Sequence, residues 1–226
     1  MISFTLNSTD ENEILLLFAK AKEILDHGGL IIYPTDTLYG IGASIYNEKG
    51  IEKVFQAKRR PRTLPLSAAV HSASQIDRLA MVEGKNLKSL LYELFPSKTT
   101  VLLPKKEEIS PVLTGGSSII GIRVPDNSFT RNLLEFTGPL TSTSVNLHGE
   151  KVEPLSGDIE KMDEIINHVD LFIKSKELDE KLEQYKEKSG STIINMANKS
   201  IEIIREGEMK NADISLITRR WGFDLT

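Results

Sequence analysis

The sequence predicts an α/β layer fold in a single domain. Helix-period and strand-type segments alternate along the chain. The strand-type runs are short and apolar, several ending at a proline, and no repeat or long Pro/Gly/Ser linker divides the 226 residues.

The elements follow in order. Asp10 and Glu13 have the form of a capping box, and Ile14, Leu17, Phe18, Ala21, Ile24 and Leu25 then share one helical face, predicting a helix over residues 10–27. Gly28 and Gly29 end it, because glycine tolerates the left-handed backbone just past a helix C-terminus. Residues 30–33 are continuously apolar, read as a buried strand, and stop at Pro34. A short helix is predicted at 48–57 with Ile51, Val54 and Phe55 inward, then a strand at 66–70 and a helix at 86–94 on Leu87, Leu90, Leu91 and Leu94. Strands at 99–103 and 118–124 close on Pro104 and Pro125, a helix follows at 128–136, and 140–145 is a strand entering a loop. Charge dominates 158–188: a helix is expected at 159–168, an apolar patch at 169–173, and 174–188 reads as a solvated helix or excursion. Residues 191–196 and 200–205 predict a hairpin across 197–199, and Asn211 caps a last short helix. The folded domain is expected over 1–215, with 216–226 a short C-terminal tail.

Composition narrows the function classes. A content of 39% hydrophobic and 27% charged residues describes a globular protein, and a formal charge of −4 supplies no general attraction to nucleic acid or anionic membrane. The absence of cysteine removes disulfides, thiol nucleophiles and thiolate metal sites, and fits a reducing, cytoplasmic location. The opening residues have neither the basic flank nor the apolar block of a secretion signal. No stretch nears the roughly 20 apolar residues of a membrane span, so no membrane partner is expected.

Three segments carry chemistry. Thr35, Thr37 and Tyr39 follow the buried strand at 30–33, where open α/β sheets bind ligands, and Gly40 and Gly42 either admit a close backbone approach or form a plain turn. Lys58, Arg59, Arg60 and Arg62 put four cations in five residues around Pro61, a cluster suited to phosphate, to RNA backbone or simply to solvent. Thr141, Ser142, Thr143, Ser144 and Asn146 can bind an anion without net charge or satisfy their own turn. Arg123 lies inside an apolar strand and needs an anion or an outlet to solvent. His71 follows a strand at a position an edge-of-sheet ligand can reach, or is structural. The four histidines form no HExxH or adjacent pair, so no protein-held metal site is expected. No GxxxxGK[ST] loop, GxGxxG element or GxSxG elbow occurs.

Taken in order, GGLIIYPTDTLYGIG at 28–42, KxRP at Lys58, Arg60 and Pro61, the Pro65-Leu66 pair, GIRVP at 121–125, SxN at Ser144 and Asn146, STII at 191–194 and IIREG at 203–207 resemble the YrdC-like family of threonylcarbamoyl-AMP synthases. The series spans residues 10–215. The resemblance implies a twisted, open mixed sheet with a concave basic cavity. It also implies a reaction joining L-threonine and bicarbonate to the adenylate of ATP with release of pyrophosphate, for threonylcarbamoyladenosine in tRNA. ATP would be a substrate, with Mg2+ carried mainly by its phosphates. By resemblance, Lys58, Arg60, Ser144 and Asn146 are the expected catalytic contacts to phosphates or the bicarbonate-derived group. Thr35, Thr37, Tyr39, His71, Arg123, Thr143 and Ser191 are expected around threonine and nucleotide. A tRNA and a downstream threonylcarbamoyl-transferase complex are the further partners it suggests.

Three positions depart from the family pattern: Leu64 stands where a lysine is usual, Lys98 falls in the glycine- and proline-containing stretch, and Asn195 replaces an acid. These leave two other readings open, an enzyme acting on another carbamoyl or acyl adenylate and a non-catalytic RNA-binding module.

Overall fold

Residues 1–6, 10–146, 163–184, 190–198 and 200–225 are described by the computed structural model. Among them the strands form one ten-stranded sheet. In chain order the strands are β1 (Ile2–Thr5), β2 (Ile31–Tyr33), β3 (Gly40–Gly42), β4 (Ser67–Ala69), β5 (Thr99–Pro104), β6 (Ile119–Arg123), β7 (Leu140–Ser144), β8 (Leu171–Lys174), β9 (Thr192–Asn195) and β10 (Glu202–Arg205). Their order across the sheet is β1-β8-β2-β3-β7-β4-β6-β5-β9-β10. The sheet is mixed: β8 runs parallel to β1 and β2, whereas β7 runs antiparallel to both its neighbours, β3 and β4. The helices are α1 (Glu11–Asp26), α2 (Glu48–Ala57), α3 (Ile76–Leu79), α4 (Lys85–Leu94), α5 (Ser128–Thr137), α6 (Asp163–Ile166), α7 (Lys176–Gln184) and α8 (Asn211–Arg220).

Local chemistry explains the boundaries. The Asp10 carboxylate caps α1 by accepting from the Asn12 N–H at 2.9 Å, and Gly28 past its end has φ +72°, the left-handed geometry expected of it. Helix α2 begins on Asn47, whose side chain accepts from the Gly50 N–H, and falls on the expected residues. Its C-terminus is unusual. The Arg60 N–H donates to Phe55 O and the Arg59 N–H to Gln56 O, the paired bonds of a Schellman end, yet the left-handed residue is Arg59 at φ +48° rather than a glycine. The strain of that turn swings the chain so that Lys58 and Arg60 both face inward.

Strand alternation divides the interior. Ala68, Val101, Leu103, Ile120, Ile122 and Ile194 point into the larger core, which also takes residues of α2, α4 and α8. The opposite face is covered at one end by α1 and α5. There Leu17, Phe18, Ala21, Leu25, Leu133 and Leu134 pack on Tyr33 and Leu140, with Phe18 edge-on to Phe129 at 5.4 Å. The rest of that face is where the cavity lies.

Several elements differ from expectation. β1, an edge strand, carries little apolar pattern because most of it is exposed. Residues 40–42 form a strand, and their glycines serve its packing: a Cβ on Gly40 or Gly42 would stand 3.0 and 2.9 Å from the Tyr33 ring. Helix α7 is not simply solvated, since Leu178 and Leu182 are buried in the larger core. The apolar patch at 169–173 contains β8. Of the helix expected at 159–168, residues 159–162 lie outside the described residues and Asp163–Ile166 is helical. The last helix continues to Arg220, and Trp221, Phe223 and Leu225 pack against the core beyond it. Among the described residues no helix is long and apolar enough to cross a membrane.

Candidate functional site

A cavity of about 700 Å³ occupies the uncovered part of the sheet face. The strands supply much of its lining: Ser67 from β4, Thr100 and Leu102 from β5, Arg123 from β6, Ser142, Thr143 and Ser144 from β7, and Ile193 from β9. Lys58, Arg60, Arg123 and Arg205 line it with one acid, Glu206, so its lining is basic although the chain is acidic overall.

One wall joins the end of α2 to the end of β7. Lys58 is only 2% exposed, and its ammonium donates to the Ser144 carbonyl, to Asn146 O at 2.5 Å and to Asn146 Oδ1 at 3.4 Å. The Ser144 hydroxyl donates to the same Asn146 Oδ1 at 2.5 Å. Burial, followed by the nearby Arg60 charge, pulls the Lys58 pKa down to about 7. Arg60 is braced by the carbonyls of Leu64 (3.3 Å) and Pro65 (2.9 Å), which aim its guanidinium along the cavity. Lys58, Arg60, Ser144 and Asn146 therefore converge, although 86 residues separate Lys58 from Ser144.

The other wall is built on residues 34–39. The Thr35 hydroxyl donates to Leu38 O at 2.6 Å and accepts from the Thr37 and Leu38 N–H groups, closing the loop on itself. Arg123 donates through Nη2 to Asp36 Oδ1 at 2.5 Å and to the Thr37 hydroxyl at 2.8 Å. Tyr39 lines the cavity, and its hydroxyl meets Asp179 Oδ1 at 2.8 Å and accepts from the Ser175 N–H at 2.8 Å, which ties α7 to the site. Burial keeps that phenol protonated. Ser191 shares a hydrogen bond with Thr100 at 2.7 Å, and its carbonyl accepts from Arg205.

Of the residues singled out in the sequence, Thr35, Thr37, Tyr39, Lys58, Arg60, Arg123, Thr143, Ser144, Asn146 and Ser191 all line this cavity. His71 does not: it stands past the end of β4, where its backbone N–H donates to Gln75 Oε1 at 3.2 Å. Ser67, Thr100 and Arg205 also line the cavity and were not among the expected site residues. Arg205 stood in a motif already quoted, whereas Ser67 and Thr100 reach the cavity through strand pairing that no local window shows.

The departures resolve unevenly. Leu64 and Lys98 are outside the lining; Leu64 offers its carbonyl to Arg60, and Lys98 pairs with Glu208 at 2.7 Å. Asn195 lines a second cavity of about 350 Å³ that shares Pro65, Leu66, Ser67 and Leu102 with the first. Gly121 lines the second cavity and leaves no room for a side chain, since a Cβ there would stand 2.6 Å from Ser67 Oγ.

A trough of cations and hydroxyls on one face of an open mixed sheet defines a protein that holds a polyanion beside a small polar molecule. The chain belongs to the family of Sua5, YciO and YrdC proteins, whose model, described as telomere recombination, matches residues 23–207. A Methanocaldococcus jannaschii relative, provisionally named a threonylcarbamoyl-AMP synthase, is 36% identical over 198 residues and 88% of each chain. The Bacillus subtilis threonylcarbamoyl-AMP synthase is 31% identical over 68% of this chain and 45% of its own. Among solved structures, Pyrococcus abyssi Sua5 complexed with L-threonine superposes with a TM-score of 0.79 at 24% identity, covering 100% of this chain and 62% of that one. Escherichia coli YciO superposes with a TM-score of 0.74 at 25% identity over 92% and 96%. The chain thus spans most of some relatives and about half of others.

Proposed function

We propose that this chain is a threonylcarbamoyl-AMP synthase that makes L-threonylcarbamoyladenylate from L-threonine, bicarbonate and ATP. The observation that carries the reading is the single wall formed by Lys58, Arg60, Ser144 and Asn146. Threonine's amine and bicarbonate condense to a carbamate with loss of water. A carbamate oxygen then attacks the α-phosphorus of ATP, the bond from that phosphorus to the bridging oxygen breaks, and pyrophosphate leaves. Lys58 and Arg60 meet the charge that grows on the phosphates, while the Ser144 and Asn146 side chains orient the reacting group. Arg123, with Thr35 and Thr37, takes the threonine end. The second cavity offers room for the nucleoside beyond the phosphates. No side-chain nucleophile is needed, and the concave site limits hydrolysis of the mixed anhydride.

ATP enters as its magnesium complex, with the ion bound to the phosphates. Among the described residues no three His, Cys, Asp or Glu side chains gather to hold a metal, and the cavity's donors are cations and hydroxyls. The product supplies a transferase acting on tRNA. The other adenylate-forming reading is weakened because Leu64 and Lys98 lie outside the cavity lining, and an RNA-binding module is weakened because the cations gather inside a concavity.

The test incubates the purified chain with magnesium ATP, bicarbonate and L-threonine, omitting one at a time, and looks for the adduct and pyrophosphate by mass spectrometry. Absence of adduct from protein that binds ATP removes this function; preference for another amino acid moves it to the other adenylate former. Tight, salt-sensitive RNA binding without turnover supports the module.

A further inference from the structure

Helix α7 lies outside the motifs, yet it holds one end of the cavity through a relay of charges. We propose that Lys181 is a positioning residue for Arg123, fixing the guanidinium that receives the carboxylate of the amino-acid substrate; this rests on the reaction proposed above.

Arg123 is 6% exposed and lines the cavity. Among the described residues its Nε and the Oδ2 of Asp36 lack hydrogen-bond partners, although the two side chains pair through their other atoms. A buried pair left with an unmet donor contributes little to stability, and a guanidinium so held beside a cavity is suited to recognising an anion there. How well it is aimed depends on where Asp36 sits.

Asp36 belongs to the short connection from β2 to β3, and α7 grips that connection at two points. The Lys181 ammonium donates to the Asp36 backbone carbonyl at 2.5 Å, and Asp179 accepts from the Tyr39 hydroxyl. Lys181 is held in place in turn by Glu208, whose carboxylate is 3.5 Å from it and 2.7 Å from Lys98. The unexpected lysine at position 98 thus joins the same relay instead of adding charge to the cavity. Leu178 and Leu182 seat the helix by apolar burial, so the Lys181 ammonium is not what keeps α7 folded. It acts on the loop: it pins the residue whose carboxylate steers Arg123.

The replacement Lys181→Met keeps the aliphatic stem and removes the ammonium. The KM for L-threonine should rise about tenfold, the scale of one lost hydrogen bond from a charged donor. The KM for ATP, kcat and the melting temperature should stay near parental values, and Lys181→Arg should restore most of the loss. Calorimetric titration of the full chain with L-threonine reads the same effect without turnover. Equal rises in both KM values, or a folded K181M chain that binds threonine as the parent does, would overturn the assignment. A parent chain that neither binds threonine nor forms adduct overturns the proposed reaction, and this inference with it; the parent alone distinguishes the two failures.

Discussion

The two ends of the cavity solve opposite electrostatic problems. At the α2–β7 end, Lys58 is buried among neutral oxygens of Ser144 and Asn146, with the Arg60 charge nearby. At the β2–β3 end, Arg123 is buried against Asp36, and the pair is nearly neutral. The first arrangement, two cations side by side, suits a polyanion. The second suits a small, singly charged group recognised by direction more than by net charge. On the proposed reaction the first would be the phosphate end and the second the amino-acid end.

Four changes would break or sharpen this contrast. Asp36→Ala should be the most damaging, leaving Arg123 buried without its anion and costing about 3 kcal/mol of stability in urea denaturation, with Asp36→Ala/Arg123→Met costing less than the sum of the single changes. Arg60→Ala should leave urea stability near parental while costing about 2–4 kcal/mol at the transition state, read as loss of pyrophosphate release. Near-parental catalytic efficiency would remove Arg60 from the phosphate end. Lys58 should make nucleotide binding depend on pH. With a pKa of about 7 it is largely neutral above that point, and an arriving anion favours its charged form, so binding takes up a proton. ATP affinity should then fall by about tenfold per pH unit on the alkaline side and flatten below neutrality, a slope absent in Lys58→Arg. Calorimetry in two buffers of different ionisation enthalpy measures the proton directly. Smallest is Arg59→Gly, which relieves a left-handed non-glycine residue and should raise stability by about 1 kcal/mol in the same denaturation assay.

What the sequence revealed tracks how local the determining physics is. Helix α2 was legible to the residue because Asn47 and the inward apolar residues act within a few positions of each other. The convergence of Lys58 with Ser144 was not visible in any window, and entered only through the resemblance to a known family. Residues 40–42 read as a close backbone approach or a plain turn because two glycines in three residues suggest freedom, whereas they form a strand and are bare beside the Tyr33 ring of the neighbouring strand. In α7 the density of charge masked Leu178 and Leu182, whose spacing of four was the one available sign that the helix has a buried side. His71 shows the converse: a chemically able side chain at a strand end still needs the right direction, and its position falls outside the cavity lining.

Strand β7 has a further consequence. It is hydrogen-bonded to β3 on one side and β4 on the other, and Thr141 bonds Ala43 across 98 positions of chain. Neither wing of the sheet can meet the other until this late segment has been made and inserted between them. On a ribosome the early strands and helices can begin to settle as they emerge, but the catalytic face is assembled only when the seam closes, which makes competence for chemistry one of the last properties the growing polypeptide acquires.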